Sequence, residues 1–340
     1  MAVPWEHVDR AIHAATTIVD VRTPGEFAKG AVARAVNIPL FSNGERAEIG
    51  TLYKQLGKEP AVRTGIAFAG EKLGAFTRAF EAYRDDELLI YCARGGMRSA
   101  AVASLLASIG YRVNRLEGGY KAFRNYLLRA WPERTPPHLL VLHGRTGVGK
   151  TRLLARLPNA LDLEALARHR SSVFGAVNLS PRTQQWFESL LLEELERLDL
   201  EKPVWVEGES RKVGSVFLPA ELNGAMRAAT CVLATASLKT RIARIGEEYG
   251  GRDEETLSQL EAALRSLTGF FGRKRVEGFV AAVRAGDLPT VVEPLLVEYY
   301  DPRYEHAMRN YRYALTVPCE DLAGAAEALT AFWHGQQAPH

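Results

Sequence analysis

Cysteine is scarce in this sequence. Cys92, Cys231 and Cys319 are the three in 340 residues, and no two are spaced as a pair. That excludes a disulfide framework and a cysteine zinc site, and it suits a reducing cytoplasm, the expected location. There is no run of about 18 apolar residues, so no transmembrane helix and no membrane partner are expected. The N-terminus, MAVPWEHVDR, lacks a basic flank followed by an apolar stretch and shows no secretory signal. Strong net charge is missing too: 43 Lys+Arg stand against 40 Asp+Glu, leaving +3. No internal repeat or low-complexity segment occurs.

What is present is a soluble globular composition, 47% hydrophobic and 24% charged, in a chain long enough for two domains. The charge is uneven. Residues 1–134 carry 19 Lys+Arg against 14 Asp+Glu, 14 of the 19 being Arg, whereas residues 135–340 carry 24 against 26. An Arg-rich half is compatible with RNA contact and equally with an ordinary solvated surface. WPERTPPHLL (131–140) holds three prolines and reads as a linker. Before it, TTIVDV, AVNIPL, ELLIYC and YRVNRLEG read as strands, with helices around 68–84 and 97–109. After it, LLVLHG, ALDLEAL, PVWVEGES and CVLATAS alternate with helices, and 239–287 is helical in pattern. The fold class expected is α/β throughout. A parallel-sheet domain over 1–134 is followed by a second over 135–340 with extra C-terminal helices.

Two stretches look built to hold anions. The first, CARGGMRS (92–99), follows a buried-looking strand and opens a helix. Its glycines let backbone N–H groups point inward, and the helix N-terminus adds its dipole. There Cys92 is expected to be a thiolate nucleophile, with Arg98 neutralising an incoming anion. The spacing Cys-x5-Arg-Ser also fits cysteine-dependent phosphatases, although Tyr91 stands where those usually have His and no general-acid Asp can be assigned. The second stretch, GRTGVGKT (144–151), fits the P-loop pattern in a strand–loop–helix setting. Gly144, Arg145, Thr146, Gly147, Val148 and Gly149 would cradle a diphosphate, Lys150 would reach its outer oxygens, and Thr151 would ligate Mg²⁺. Glu207 and Glu209, which follow the β-run of VWVEGES, are the expected carboxylate partners. No base-reading motif follows, so any diphosphate ester is admissible.

The first half resembles a rhodanese, through Cys92 and its loop and through IVDVRTPGEFAKGAVARAVNIP (18–39). It departs from that family at Gly30-Ala31 and Arg34 and in its loop, one residue longer than usual, which suggests a donor larger than sulfane sulfur. With the P-loop half attached, the chain resembles the tRNA 2-selenouridine synthases. The resemblance runs through AEIGTLYKQLGKEPAVRTG (47–65), LEGGYKAFR (116–124), LDLEALARHRSSVFG (161–175), VEGESRKVG (206–214) and YYDPRYEHAM (299–308). It implies a transferase acting on the wobble 2-thiouridine of tRNAs for Lys, Glu and Gln. Geranyl diphosphate would alkylate the sulfur, and selenophosphate would then replace geranylthiolate with selenium. It implies no tightly bound cofactor and, as a further partner, the selenophosphate-producing enzyme.

Under that resemblance Lys150, Arg145 and Thr151 stabilise the departing diphosphate, Arg170 and Arg211 are ligands for diphosphate or tRNA, and Trp186, Phe187 and Phe174 are candidates for a geranyl pocket. Arg112, Arg115, Arg124, Arg129, Arg273–Arg275, Arg309 and Arg312 are the basic candidates for tRNA. Cys92 has three open roles: carrying selenium, attacking carbon 2, or positioning the donor. Two other readings stand beside this one. They are a Cys-x5-Arg phosphatase and a sulfur-carrier module, each fused to a P-loop nucleotide-binding domain.

Overall fold

The computed structural model describes residues 1–5, 16–250 and 253–336. It divides into two compact units, Met1–Ala130 with Thr183–Leu190, and Trp131–Arg182 with Leu191–His340.

The first unit is built on β1 (Ala2–Val3), β2 (Thr16–Asp20), β3 (Val36–Asn37), β4 (Glu87–Tyr91) and β5 (Arg112–Leu116), in the order β1-β5-β4-β2-β3. Every pairing is parallel. The central strands β2 and β4 are rich in β-branched and large apolar residues, as strands covered on both faces require. Val19, Leu88 and Ile90 are fully buried with Phe80 and Leu106. Around the sheet lie α1 (Pro24–Lys29), α2 (Asn43–Leu56), α3 (Lys58–Arg78), α4 (Met97–Ser108) and α5 (Gly119–Arg134). Helix α1 is entered through a capping box in which Thr23 and Glu26 satisfy each other's backbone N–H groups.

Two stretches of the resemblance have a structural reason here. The Asp20 carboxylate accepts three hydrogen bonds from the Arg22 guanidinium, two from Nε at 3.0 Å and one from Nη2 at 2.6 Å, in a buried pair. The same guanidinium donates to the Gly30 carbonyl and lies 3.9 Å from the Tyr120 ring centre. Asn37 Nδ2 donates to the carbonyls of Asp20 and Arg22, both at 2.9 Å, and so ties β3 to the end of β2.

The second unit has β6 (Leu139–His143), β7 (Ala160–Leu161), β8 (Val204–Glu207), β11 (Thr230–Thr235) and β12 (Tyr313–Pro318), in the order β12-β11-β6-β8-β7 and again all parallel. A small antiparallel hairpin joins β9 (Lys212–Val213) to β10 (Val216–Phe217). The helices are α6 (Lys150–Leu154), α7 (Leu163–Ala167), α8 (Gln184–Arg197), whose residues up to Leu190 belong to the first unit, α9 (Ala220–Ala228), α10 (Leu238–Tyr249), α11 (Glu254–Ser266), α12 (Thr268–Phe271), α13 (Arg273–Ala285), α14 (Pro289–Pro294), α15 (Asp301–Met308) and α16 (Leu322–Gly335), with one π-helical turn at Leu295–Tyr300. Helices α10 to α15 enclose an apolar core of their own, with Leu264, Val280, Val291 and Leu296 at its centre. Both units are therefore parallel α/β, the second with added C-terminal helices. Among the described residues no helix is long and apolar enough to cross a membrane.

The proline-rich stretch is less of a break than its composition suggests, because Pro132 lies inside α5, which runs on to Arg134.

Candidate functional sites

The first site lies at the C-terminal ends of β2 and β4, where open parallel sheets place ligands. Cys92 directly follows β4. Gly119 (φ 59°) sits so close beneath the loop that a Cβ there would meet the Cys92 carbonyl oxygen at 2.2 Å. This accounts for the Gly-Gly of LEGGYKAFR: one wall of the loop is backbone packed on backbone. Tyr120 N–H then donates to that same carbonyl at 2.9 Å. Cys92 Sγ lies 3.3 Å from the Ser99 hydroxyl. Burial by itself would push the thiol up. The Ser99 hydroxyl and N–H, the Arg94 N–H and the Arg98 charge outweigh it and hold the thiol below its ordinary value.

Arg98 is not held free for an incoming anion. It makes a two-pronged pair with Glu26, at 2.7 and 3.2 Å. Burial opposes ionisation of Glu26, but Arg98 and the Thr23 N–H bring its carboxyl down to about 2. Arg98 thus shapes the loop through α1 while lending its charge to the thiol. Beside Cys92 opens a cleft of about 950 Å³ between the loop, α2 and α3. Among the described residues no carboxylate lines it.

The pH dependence of Cys92 follows from these partners. The thiolate is the reactive form, so its alkylation rate rises with pH and levels off above the thiol's pKa. Peptide-resolved iodoacetamide labelling is expected to reach half its maximum below the free-thiol value of about 8.5, and Ser99→Ala should move that midpoint up. A midpoint at or above the free-thiol value would contradict the arrangement.

The second site follows β6. Gly144 leads into a loop with left-handed glycines at 147 and 149, and α6 begins at Lys150. Lys150 Nζ donates to the Gly144 carbonyl at 3.2 Å. Burial lowers its pKa, but Tyr304 and the carboxylates Glu207, Glu209 and Glu164 together raise it above the ordinary value. On the neighbouring strand, Glu207 is opposite Leu142. Its two carboxylate oxygens are buried with no hydrogen-bond partner among the described residues. Glu164, Glu207 and Glu209 bring ligand atoms within 4.8 Å of one another. Burial, reinforced by repulsion from Glu164, pushes both Glu207 and Glu209 up.

Two buried arginines of α10 brace the loop. Arg241 Nε donates to the Thr146 carbonyl at 2.8 Å while its Nη atoms grip Asp301, and Arg244 Nη1 donates to the Val148 carbonyl at 2.6 Å. The sequence carries a trace of them, a pair of arginines three apart in a helical pattern. Their targets are backbone atoms almost a hundred residues away, which no spacing reveals.

A cavity of about 360 Å³ runs from Thr146, Gly147, Gly149, Lys150 and Thr151 into the helical core, where Leu264, Val291, Val292, Leu295 and Leu296 line it. The π turn supplies the last two, and such turns recur at functional sites. Of the expected ligands, Arg170 lines this cavity, where it pairs with Glu248. Arg145 turns instead to Glu305 and Asp301, and Val148 is buried beneath the loop. Phe174 lines the cavity. Trp186 and Phe187 belong to the first unit, where the Trp186 indole donates to the Phe27 carbonyl at 3.1 Å and Phe187 is fully buried.

A second cleft, of about 730 Å³, shares Ser171, Ser172, Glu209, Tyr300 and Tyr304 with that cavity. His143, Tyr311, Arg211, Arg227 and Arg303 line it. The guanidinium groups of Arg211 and Arg227 make no hydrogen bond or ion pair among the described residues. Burial and the Lys150 charge push His143 down to about 4, which keeps it neutral, and its ring lies 4.3 Å from that of Tyr311. The His169 ring fills the space against Gly175 and Gly214, where a Cβ would meet it at 2.4 and 2.3 Å. This joins HRSSVFG to SRKVG physically. Of the other basic candidates, Arg124 is tied to Glu188 and Arg275 to Glu298, whereas Arg309 and Arg312 are exposed.

A family model described as the tRNA 2-selenouridine synthase AAA domain matches residues 137–274, and a rhodanese-like domain model matches 5–126. The N-terminal domain of a putative ATP/GTP binding protein from Clostridium difficile 630 is 41% identical over 38% of this chain and 99% of that one, with a TM-score of 0.35. A rhodanese-related protein from Thermoplasma volcanium is 23% identical over 36% of this chain and 90% of its own, with a TM-score of 0.24. Reduced CoADR-RHD from Bacillus anthracis is 24% identical over 38% of this chain and 17% of its own, with a TM-score of 0.25.

Proposed function

The chain belongs to the tRNA 2-selenouridine synthase family, enzymes that act on tRNA, and from that premise we propose a two-step transfer on the wobble 2-thiouridine. The loop 144–151 binds geranyl diphosphate. The thiocarbonyl sulfur attacks the first carbon of the geranyl chain, the carbon–oxygen bond breaks, diphosphate departs and the base loses its N3 proton. At Cys92, selenium from hydrogen selenophosphate then becomes bonded to carbon 2. Geranylthiol leaves with a proton, and the oxygen of a water ends on phosphate.

The observation that carries this reading is the two-ended cavity of the second unit. Its polar end has Lys150 and Thr151, and its other end is leucine and valine. A nucleotide's base and ribose would leave polar atoms unpaired against those side chains, a costly burial. A prenyl chain needs no partner there and gains from every carbon it buries.

Thr151 and Glu207, with Glu164 and Glu209 beside it, would hold Mg²⁺. The clustered oxygens and the partnerless Glu207 carboxylate suit a hard cation with oxygen ligands. When bound, Mg²⁺ neutralises charge on the diphosphate. Lys150 and the loop N–H groups meet the charge that grows as the carbon–oxygen bond breaks. The adjoining cleft offers the acceptor base His143 and Tyr311 for stacking, and its phosphates Arg211, Arg227 and Arg303.

Calorimetric titration of the whole chain tests the ligand. Geranyl diphosphate is expected to bind about 100-fold more tightly than inorganic diphosphate, the margin that a few buried methylenes supply, and ATP should not displace it. Displacement and hydrolysis of ATP would contradict the reading.

A further inference from the structure

The cleft beside Cys92 is unlike a site made for a small selenium donor. Selenophosphate is a compact anion and needs cations and N–H groups, which the loop supplies. Yet most of the cleft is apolar. Leu40, Phe41 and Ile49 form its floor, and Tyr53, Ile66 and Met97 remain at least half exposed along its sides. Exposed large side chains gathered around one concavity mark a binding surface rather than scattered surface residues.

The rim has the opposite character. Arg46, Lys54 and Arg94 line the cleft and make no ion pair among the described residues, and no acid lines it. A ligand that satisfies both parts has an apolar chain and an anionic body.

We propose that this cleft binds the prenyl chain of the S-alkylated nucleotide, so that the rhodanese unit recognises its RNA substrate by the group it removes. The inference rests on the two-step reading above and deepens it. The geranyl chain lies on Leu40, Phe41, Ile49 and Ile66, while the flanking phosphates meet Arg46, Lys54 and Arg94. With the chain so held, carbon 2 is carried toward Cys92 at the inner end of the cleft. The nucleotide lacking the alkyl group has nothing to place there, which makes the cleft a selector for nucleotides that have completed the first step.

The test measures binding of two anticodon stem-loops to the whole chain, one carrying S-geranyl-2-thiouridine and the other S-methyl-2-thiouridine. Saturating geranyl diphosphate occupies the cavity of the second unit throughout. The wild type is expected to prefer the geranylated RNA by about 30- to 100-fold, since nine additional carbons leave water. Ile66→Glu and Met97→Glu alter exposed side chains and should bring the ratio close to one, while Ile66→Leu keeps it. Transfer from geranyl diphosphate, assayed on the same samples, should be unchanged in all three variants, which reports an intact fold. No preference in the wild type, a preference that survives Ile66→Glu with Met97→Glu, or tighter binding of phosphatidylglycerol vesicles than of geranylated RNA each overturns the proposal. If transfer from geranyl diphosphate proceeds while the preference is absent, the cleft assignment fails alone. If transfer is also absent in the wild type, the two-step reading fails with it.

Discussion

Replacing Lys150 with alanine is expected to slow geranyl transfer by about 100- to 1,000-fold, the usual cost of removing a preorganised charge from a site where negative charge develops. The ammonium is anchored to the Gly144 carbonyl at 3.2 Å and faces Glu207, Glu209 and Glu164, which keep it charged. It sits at the junction between the loop N–H groups and the carboxylate cluster, so its loss leaves the departing diphosphate with one cation fewer. It also leaves Glu207 and Glu209 without their neutralising partner, and these two will hold protons more strongly. The fall should therefore appear in kcat, with little change in RNA affinity, because the arginines of the adjoining cleft are untouched. Lys150→Arg should recover part of the rate. A variant that retains wild-type kcat would remove Lys150 from the chemistry.

Cys92→Ala should abolish selenium incorporation while geranyl transfer continues, so geranylated tRNA accumulates. The loop around Cys92 is organised for a thiolate: the Ser99 hydroxyl 3.3 Å away, the N–H groups of Arg94 and Ser99, and the Arg98 charge held by Glu26. Cys92→Ser separates two roles. A cysteine that carries selenium covalently cannot be replaced by serine, since a hydroxyl does not supply the thiolate. A cysteine that only positions the donor can be, and the serine variant would then retain a measurable rate. Selenium incorporation at the wild-type rate in both variants would remove Cys92 from the reaction.

Much of this was legible in the residues. Strands β2, β4, β6, β8 and β11 announce themselves as short apolar runs ending at Asp20, Tyr91, His143, Glu207 and Thr235, because a parallel sheet buries both faces of its strands. The two loops were legible for the same reason: glycine patterns follow strands where backbone must approach an anion. The helical hairpin of α2 and α3 was not. Glycines at 44, 50, 57, 65, 70 and 74 and scattered apolar positions blur its periodicity, and the pattern suggested only a helix at 68–84. The cleft that this hairpin forms with the Cys92 loop was therefore hidden as well. Pro132 looked like a boundary and is absorbed near the end of α5. Glu164 was passed over because its partners, Glu207 and Glu209, lie more than forty residues away. Arg241 and Arg244 were invisible as loop braces because they act on carbonyl oxygens. Of the three aromatic candidates, Trp186 and Phe187 serve packing and Phe174 lines the cavity.

The two loops are proposed to perform successive steps on one nucleotide. The most direct measurement incubates the protein with a tRNA carrying wobble 2-thiouridine and geranyl diphosphate, then adds selenophosphate, and follows the digested nucleosides by mass spectrometry. S-geranyl-2-thiouridine is expected to form first and then to be consumed as 2-selenouridine and geranylthiol appear in equal amounts. Selenium incorporated at full rate without geranyl diphosphate, or an S-geranyl product that selenophosphate never consumes, would contradict it.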